Sequence, residues 1–238
     1  MALLAESQTL GPAPRQDGKP VVLADGTLLI VSGVGLAAAA EGARRLAASG
    51  ARALVSWGMA GGLDPALAAG SLVLPREVIS PEGSVFLTAR EWRERVSRAI
   101  AGRQVGSGRL LTCREPLASS QAKALAFRET RAVAVDMESS AVAEVALATR
   151  LPFLAVRAIV DTAADSLPRA AVAANTAGSS AVRIPQLFGA LARRPAELPA
   201  LLRLAVRYRA ASRALTAVAR SGALLPLIDR EVTSHALP

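Results

Sequence analysis

Residues Ala132–Asp165 read AVAVDMESSAVAEVALATRLPFLAVRAIVDTAAD, and this stretch decides the predicted fold. Ala132–Val135 is a short apolar run typical of a strand, and Ser139–Thr149, beyond a polar corner, has the pattern of an amphipathic helix. Phe153–Val160 is a second apolar, β-branched run interrupted only by Arg157, which predicts a buried strand. A strand, a helix and a strand in this order form a unit of an α/β fold.

An acidic residue follows each predicted strand of this unit. Glu138 lies at the strand-to-helix junction, and Asp161 closes the second strand. If the two strands are parallel neighbours, their carboxyl ends meet at the edge where open α/β sheets bind ligands. We therefore expect Glu138 and Asp161 to face one pocket.

Two glycine-rich segments precede this unit. Ser32–Gly35 connects a predicted strand to the alanine-rich helix Leu36–Ser49. Backbone amides at the start of a helix favour an anion, so phosphate is a candidate ligand there, and a plain packing turn is the alternative. Trp57–Leu63 is predicted to be a second turn, and its three glycines in five residues indicate that the backbone passes close to another group.

These motifs together carry a resemblance to a known family. AVDMES at residues 134–139, RAIVDTAAD at residues 157–165 and the two glycine segments, in this order, resemble the purine nucleoside phosphorylase and methylthioadenosine/adenosylhomocysteine nucleosidase superfamily. SWGMAGGLDPAL at residues 56–67 and the Arg- and Leu-rich tail are most similar to hopanoid-associated phosphorylases. The resemblance implies an α/β fold, a single three-layer αβα domain with a central mixed sheet over residues 1–184, followed by a helical extension over residues 185–238 on or beside this core.

The resemblance also implies the chemistry of the two acids. Breaking an N-glycosidic bond leaves positive charge on the ribose and negative charge on the purine. In the family the counterpart of Asp161 protonates the purine at N7, and burial at a strand end raises the pKa of a carboxyl group in the required direction. The Met137–Glu138 pair grips the ribose, where Glu138 accepts the hydroxyls and Met137 packs under the sugar; core packing is the other interpretation of Met137.

The remaining site residues are implied by position. Main-chain groups of Met59, Ala60 and Gly61 would contact the nucleoside, and phosphate would be bound by Ser32, Gly33, Gly35 and Arg15. Glu6 follows the first predicted strand, Met1–Ala5, where relatives have a glutamate that orients or deprotonates water or contacts the ribose; an exposed terminal residue is the alternative. One segment departs from the family: Arg114 and Pro116 stand where relatives have an aspartate and an aromatic residue that select the base.

The composition excludes several other kinds of site. The chain has one cysteine, Cys113, and one histidine, His235, so an internal disulfide, a multi-cysteine metal site and Ser/His/Asp or Cys/His catalysis are not expected. We expect no metal and no cofactor, with inorganic phosphate as a co-substrate. No basic leader and no run of 18 uncharged apolar residues occur, so a cytoplasmic location is predicted.

The net charge of +9 is concentrated in the tail. Residues 183–238 contain nine arginines against three acidic residues, which accounts for six of the nine net positive charges and does not favour nucleic-acid binding. Beyond Pro199, apolar residues recur at helical spacing with arginines among them. A basic amphipathic helix of this kind either contacts a membrane surface peripherally or packs on a hydrophobic groove of its own core. By resemblance, we also expect a homo-oligomer.

The predicted reaction is release of adenine from adenosylhopane with phosphate as the nucleophile, in hopanoid biosynthesis. This substrate is a lipid-linked purine nucleoside, which gives the tail a purpose. One competing prediction is hydrolysis of methylthioadenosine or adenosylhomocysteine, since the arginine of some phosphorylase relatives has no match around Val55–Met59. A further alternative is a non-catalytic nucleoside-binding or lipid-surface protein with the same fold.

Overall fold

Eleven strands and five helices form within the residues that the computed structural model describes, namely 2–5, 18–23, 25–167 and 198–225. The strands are β1 Ala2–Ala5, β2 Val21–Val22, β3 Leu28–Ile30, β4 Leu54–Gly62, β5 Leu72–Val73, β6 Glu77–Ile79, β7 Val85–Leu87, β8 Val105–Gly106, β9 Arg109–Thr112, β10 Ala132–Asp136 and β11 Phe153–Asp161. The helices are α1 Leu36–Ala48, α2 Arg90–Ala99, α3 Ser120–Thr130, α4 Ser139–Ala148 and α5 Leu198–Arg220. Glu6, Arg15 and the predicted boundary between residues 184 and 185 lie outside the described residues.

The strands form one mixed sheet, as predicted, with β4 at its centre. On one edge β11 runs parallel to nearly all of β4, from Phe153 opposite Leu54 to Asp161 opposite Gly61. Two strands pair with the other edge of β4: β1 runs parallel to its first half, and β10 runs antiparallel to its end. The condition that β10 and β11 are parallel neighbours is therefore not met, because β4 lies between them.

The predicted turn at Trp57–Leu63 is also wrong, because most of this segment continues β4 through Gly62. Its glycines serve close packing between strands. A Cβ on Gly61 would lie 3.3 Å from Val135 Cγ1 and 3.3 Å from Asp161 Oδ2, and one on Gly62 would lie 3.3 Å from the Asp161 carbonyl oxygen. Glycine in a strand interior commonly marks such a close approach.

Apolar layers cover both faces of the sheet. Helices α1 and α4 pack on one face, and α2 and α5 pack on the other. Successive side chains of a strand point to opposite faces, and β11 illustrates it: Phe153, Ala155 and Ile159 join the α1/α4 layer, whereas Leu154, Val156 and Ala158 join the α2/α5 layer. This arrangement confirms the predicted three-layer αβα architecture.

Helix α5 is divided along its length. Its second half is buried through Ala211, Ala214, Leu215 and Val218, which belong to the apolar cluster that also contains Trp57 and Leu154. Its first half leaves Leu202 and Val206 exposed, with 59% and 66% of their surface accessible. None of the helices in the described part of the chain has both the length and the apolar character needed to span a membrane.

Candidate active site

A buried ion pair fixes the corner between β10 and α4. Asp136 and Arg157 are 5% and 1% exposed, and Arg157 Nε donates to Asp136 Oδ2 at 2.8 Å. Thr112 Oγ1 donates to the other carboxylate oxygen at 2.8 Å, and the Ser139 amide donates to Oδ2 at 3.2 Å. Arg157 Nη2 also donates to the hydroxyls of Ser56 and Ser139. Because buried charges are costly without such partners, this network holds the residues after Asp136 in one place.

Glu138 is the residue immediately before α4, and it is buried. Its Oε1 accepts a hydrogen bond from the Gly35 amide at 3.0 Å, and its Oε2 accepts one from the Met137 amide at 3.2 Å. The carboxylate is thereby joined to the first glycine segment, 103 residues earlier in the chain. Gly35 has φ +96°, a conformation that side chains disfavour, which explains a glycine at the start of α1.

The first glycine segment carries the predicted phosphate ligands Ser32, Gly33 and Gly35, which are half-buried before α1. The Gly35 amide donates its hydrogen bond to Glu138, so it is not available to a phosphate. A carboxylate next to the segment also repels a phosphate dianion. Binding of phosphate by this segment stays a prediction.

Asp161 ends β11 and lies against Gly61 of β4. It is buried, and its Oδ2 accepts a hydrogen bond from the ammonium group of Lys123. No described residue hydrogen-bonds to Oδ1. Burial raises the pKa of Asp161 above its ordinary value, and the Lys123 charge opposes this effect without reversing it.

Lys123 contacts the candidate acid, and no sequence motif marks it. It lies on α3 with 1% of its surface exposed. Its ammonium group donates to Asp161 Oδ2, to the Thr162 carbonyl at 2.8 Å and to the Asp165 carbonyl at 3.1 Å. The available signal was helical spacing: Ala126 and Phe127, three and four residues later, pack on the apolar cluster beside β10, so Lys123 shares an inward face.

The loop after β11 is tied to α5 as well. The Asp165 carboxylate accepts hydrogen bonds from the amide and hydroxyl of Thr162, at 2.8 and 2.6 Å, and forms an ion pair with Arg207 of α5. Burial raises the pKa of Asp165, but the hydrogen bonds from Arg207 and Thr162 outweigh burial and lower it to about 2. The loop is therefore held between α3 and α5.

The predicted contacts along β4 have different surroundings. The Met59 side chain packs with the α2/α5 layer and the Ala60 side chain with the α1/α4 layer, whereas Gly61 is the strand partner of Asp161 and lies against its carboxyl. Arg114 is exposed and paired with Glu82.

The ends of β10 and β11 approach each other across Gly61, which contacts both Val135 and Asp161. Glu138 follows Val135 by three residues. The ends of these strands carry a buried carboxyl whose pKa is raised and a carboxylate held by two backbone amides. That the two groups face one pocket stays a prediction. The first group can hold and transfer a proton, and the second can accept hydroxyl groups and stabilise positive charge.

Comparisons with known proteins agree with this fold. The family model described as the phosphorylase superfamily matches residues 17–187. The structure of 5'-methylthioadenosine/S-adenosylhomocysteine nucleosidase from Neisseria meningitidis in complex with methylthio-immucillin-A is similar, with 18% identity, a TM-score of 0.67, and coverage of 92% of this chain and 96% of that chain. The corresponding Helicobacter pylori nucleosidase with butyl-thio-DADMe-Immucillin-A has 14% identity, a TM-score of 0.63, and coverage of 92% and 97%.

A futalosine hydrolase mutant of Helicobacter pylori is similar as well, with 16% identity, a TM-score of 0.57, and coverage of 66% of this chain and 87% of that chain. At these identities the solved structures show a shared fold. No curated protein sequence matches the chain.

Proposed function

Because the chain belongs to the phosphorylase superfamily, we propose that it cleaves the N-glycosidic bond of a purine nucleoside, with Asp161 as the acid and Glu138 as the ribose-binding carboxylate. The observation that carries the proposal is the state of Asp161. It is a buried carboxyl at a strand end whose Oδ2 is held by Lys123 and whose Oδ1 has no hydrogen-bond donor among the described residues. That oxygen is the one offered to a base.

Asp161 supplies the proton that the leaving purine needs. As the bond between the ribose and N9 breaks, its electron pair goes to the purine, and N7 takes the carboxyl proton, so the purine leaves neutral. Protonation of a leaving group by a positioned acid contributes about 10²–10⁴ in rate. Burial raises the pKa of Asp161, so the carboxyl keeps its proton to a higher pH than an exposed aspartate does.

Glu138 acts on the sugar. As a carboxylate it accepts the ribose hydroxyls, and its negative charge stabilises the oxocarbenium-like sugar as the bond breaks. The amides of Gly35 and Met137 hold its two oxygens before substrate arrives, which limits the reorganisation that binding requires.

Water is the nucleophile that the geometry favours. Its oxygen bonds to the ribose carbon that loses N9, and the proton that it gives up replaces the one that Asp161 transferred to N7. The Gly35 amide donates its hydrogen bond to Glu138, and the negative charge of this carboxylate repels a phosphate at the glycine segment. Names of the similar solved structures point the same way, since they are nucleosidases and a hydrolase. Phosphorolysis is the competing reaction, in which Ser32, Gly33 and Arg15 would bind the phosphate.

A lipid-linked nucleoside is the second candidate substrate, and α5 favours it. Leu202 and Val206 are exposed on this helix, and Arg207, one residue further, pairs with Asp165 in the loop after Asp161. An apolar, basic surface is thus joined to the loop beside the candidate acid. This arrangement fits a cytoplasmic enzyme that binds adenosylhopane at a membrane surface.

Adenine release separates these functions. We expect release from methylthioadenosine without phosphate, and a Glu138→Gln blank with at least about a tenfold lower rate, since a binding site built for hydroxyls loses its acceptor charge. Release only from adenosylhopane and only with phosphate establishes the phosphorolytic, lipid-linked reaction. Failure of the protein to release a purine from either nucleoside refutes the proposed enzyme and leaves nucleoside binding as its role.

Gly61→Ala tests the close approach at the acid. The new methyl group lies 3.3 Å from Asp161 Oδ2 and from Val135 Cγ1, so the carboxyl must shift by a few tenths of an ångström. We expect kcat to fall by about tenfold or more, because small misplacements of reacting groups are costly.

Gly62→Ala is the matched control for this substitution. Its Cβ is similarly crowded, but by the Asp161 carbonyl oxygen, Ile159 Cγ2 and Thr162 Cα rather than by the carboxyl. The two variants should lose similar stability in thermal unfolding, and Gly61→Ala should lose more activity. Equal losses of activity would mean that only the packing of the strands matters.

A further inference from the structure

A buried lysine lies behind the candidate acid and is used by no step proposed so far. Lys123 has 1% of its surface exposed, and its three ammonium hydrogens match three acceptors: one carboxylate oxygen of Asp161 and the carbonyls of Thr162 and Asp165. It comes from α3, whereas all three acceptors belong to the end of β11 and the loop that follows it. Lys123 thus joins separate parts of the chain at the acid.

The cost of this arrangement argues for a role beyond packing. Taking an ammonium and a carboxylate out of water costs several kcal/mol for each ion, and apolar residues of the same volume often replace such pairs without loss of stability. Most inward positions of this core are alanine, valine or leucine. A charged residue at this place, against the acid itself, is therefore explained better by what it does to Asp161.

Resting on the proposed function, we infer that Lys123 is a positioning residue for Asp161. Its ammonium group binds Oδ2, which turns Oδ1 towards the substrate, and its two bonds to carbonyls fix the loop that continues from Asp161. It acts through Asp161 and does not touch the nucleoside.

Lys123 also sets how Asp161 responds to pH. The charged groups that act on the Asp161 carboxyl are Lys123 from α3, Asp165 from the following loop and Arg207 from α5. Lys123 is the strongest of them and favours the carboxylate, against the effect of burial. Removing Lys123 therefore raises the pKa of Asp161 further, so the activity that depends on the protonated acid persists to higher pH.

A double-mutant cycle on the full chain tests this role. Lys123→Met keeps the length of the side chain and removes its charge, and it is compared with Asp161→Asn and with the double variant. We expect Lys123→Met to lower kcat by about 10²-fold, to change KM by less than about threefold, and to shift the basic limb of the pH–rate profile to higher pH. In the Asp161→Asn background, the same substitution should change the residual rate by less than about threefold.

Lys19→Met is the control, since Lys19 is the only other lysine and is exposed. Lys123→Met with an unmoved pH limb, or with the same fold loss in the Asp161→Asn background, overturns the positioning role and leaves a structural one. A wild-type protein that releases no purine overturns the proposed function instead.

The pairing itself has a readout that needs no activity. With Lys123 gone, the folded state holds a proton on Asp161 that the unfolded chain releases above its ordinary pKa, so the Tm of Lys123→Met should fall as the pH rises above that ordinary value. The double variant lacks the carboxyl and should not show this fall relative to Asp161→Asn. Parallel pH dependence of Lys123→Met and the double variant refutes the coupling, whether or not the protein is active.

Discussion

Asp161→Asn is expected to lower the rate of purine release by about 10²–10⁴-fold while leaving nucleoside affinity within about tenfold of the wild-type value. Asparagine has nearly the same shape and keeps an oxygen for Lys123, but it has no carboxyl proton to transfer to N7. The purine must then leave as an anion or take its proton from water. Single-turnover adenine release measures the rate, and equilibrium binding of a non-cleavable methylthioadenosine analogue measures the affinity.

Loss of folding must be separated from loss of chemistry in this variant. The substitution leaves the buried ammonium of Lys123 without its carboxylate, so some loss of stability is expected. The Lys123→Met/Asp161→Asn protein removes both charges and should recover much of that stability but none of the rate. A single variant that turns over at a rate near that of the wild type would remove Asp161 from the mechanism.

Arg157→Met is expected to give a large loss of stability. It leaves the Asp136 carboxylate buried without its ion-pair partner. Of the hydrogen-bond donors to this carboxylate described above, the Thr112 hydroxyl and the Ser139 amide remain. Breaking a buried pair in this way costs about 3–5 kcal/mol. For a domain of this size, that corresponds to a fall in Tm of roughly 6–20 °C, measured by thermal unfolding.

Two comparisons give this result its meaning. Arg90→Met removes an exposed arginine that pairs with Glu94, and such surface pairs contribute little, so its Tm should stay near that of the wild type. Asp136→Asn in the Arg157→Met background removes the unpaired charge and should restore part of the loss. If Arg157→Met unfolds at the wild-type temperature, the buried network does not hold the Glu138 corner as described.

Local patterns predicted the central unit well. The apolar runs and the helical periodicity of residues 132–165 correspond to β10, α4 and β11 to within one residue at every end. The helix predicted at Leu36–Ser49 corresponds to α1 with similar accuracy. These features depend on residues close together in the chain, where backbone preferences and the period of burial act directly.

Contacts between distant segments were not readable in this way. The sequence leaves open which strand enters between β10 and β11, because pairing of β4 with both depends on Gly61 and Gly62 tolerating close neighbours. Some strand ends depend on single residues: Pro75 stands between β5 and β6, and Gly108 stands before β9. Proline lacks the amide that a ladder requires.

Only part of the candidate site could be predicted, because its other contacts also join distant segments. Asp161 and Glu138 are recognisable from motifs around them, whereas Lys123 meets Asp161 across 38 residues and belongs to no motif. The partner of Glu138 is a backbone amide, which a sequence does not distinguish from any other amide. Long-range hydrogen bonds of this kind become visible only once the sheet has brought its strands together.

The position of α5 in the chain has a consequence for biosynthesis. The apolar cluster that contains Trp57 of β4 is completed by Ala211, Leu215 and Val218, more than 150 residues later. While the ribosome is still making the intervening segments, this face of the nascent sheet stays open to water and to other chains. Contacts of such sequence separation form slowly, and exposed apolar surface promotes aggregation. The yield of native protein should therefore depend on chaperones that shield the nascent chain until α5 emerges.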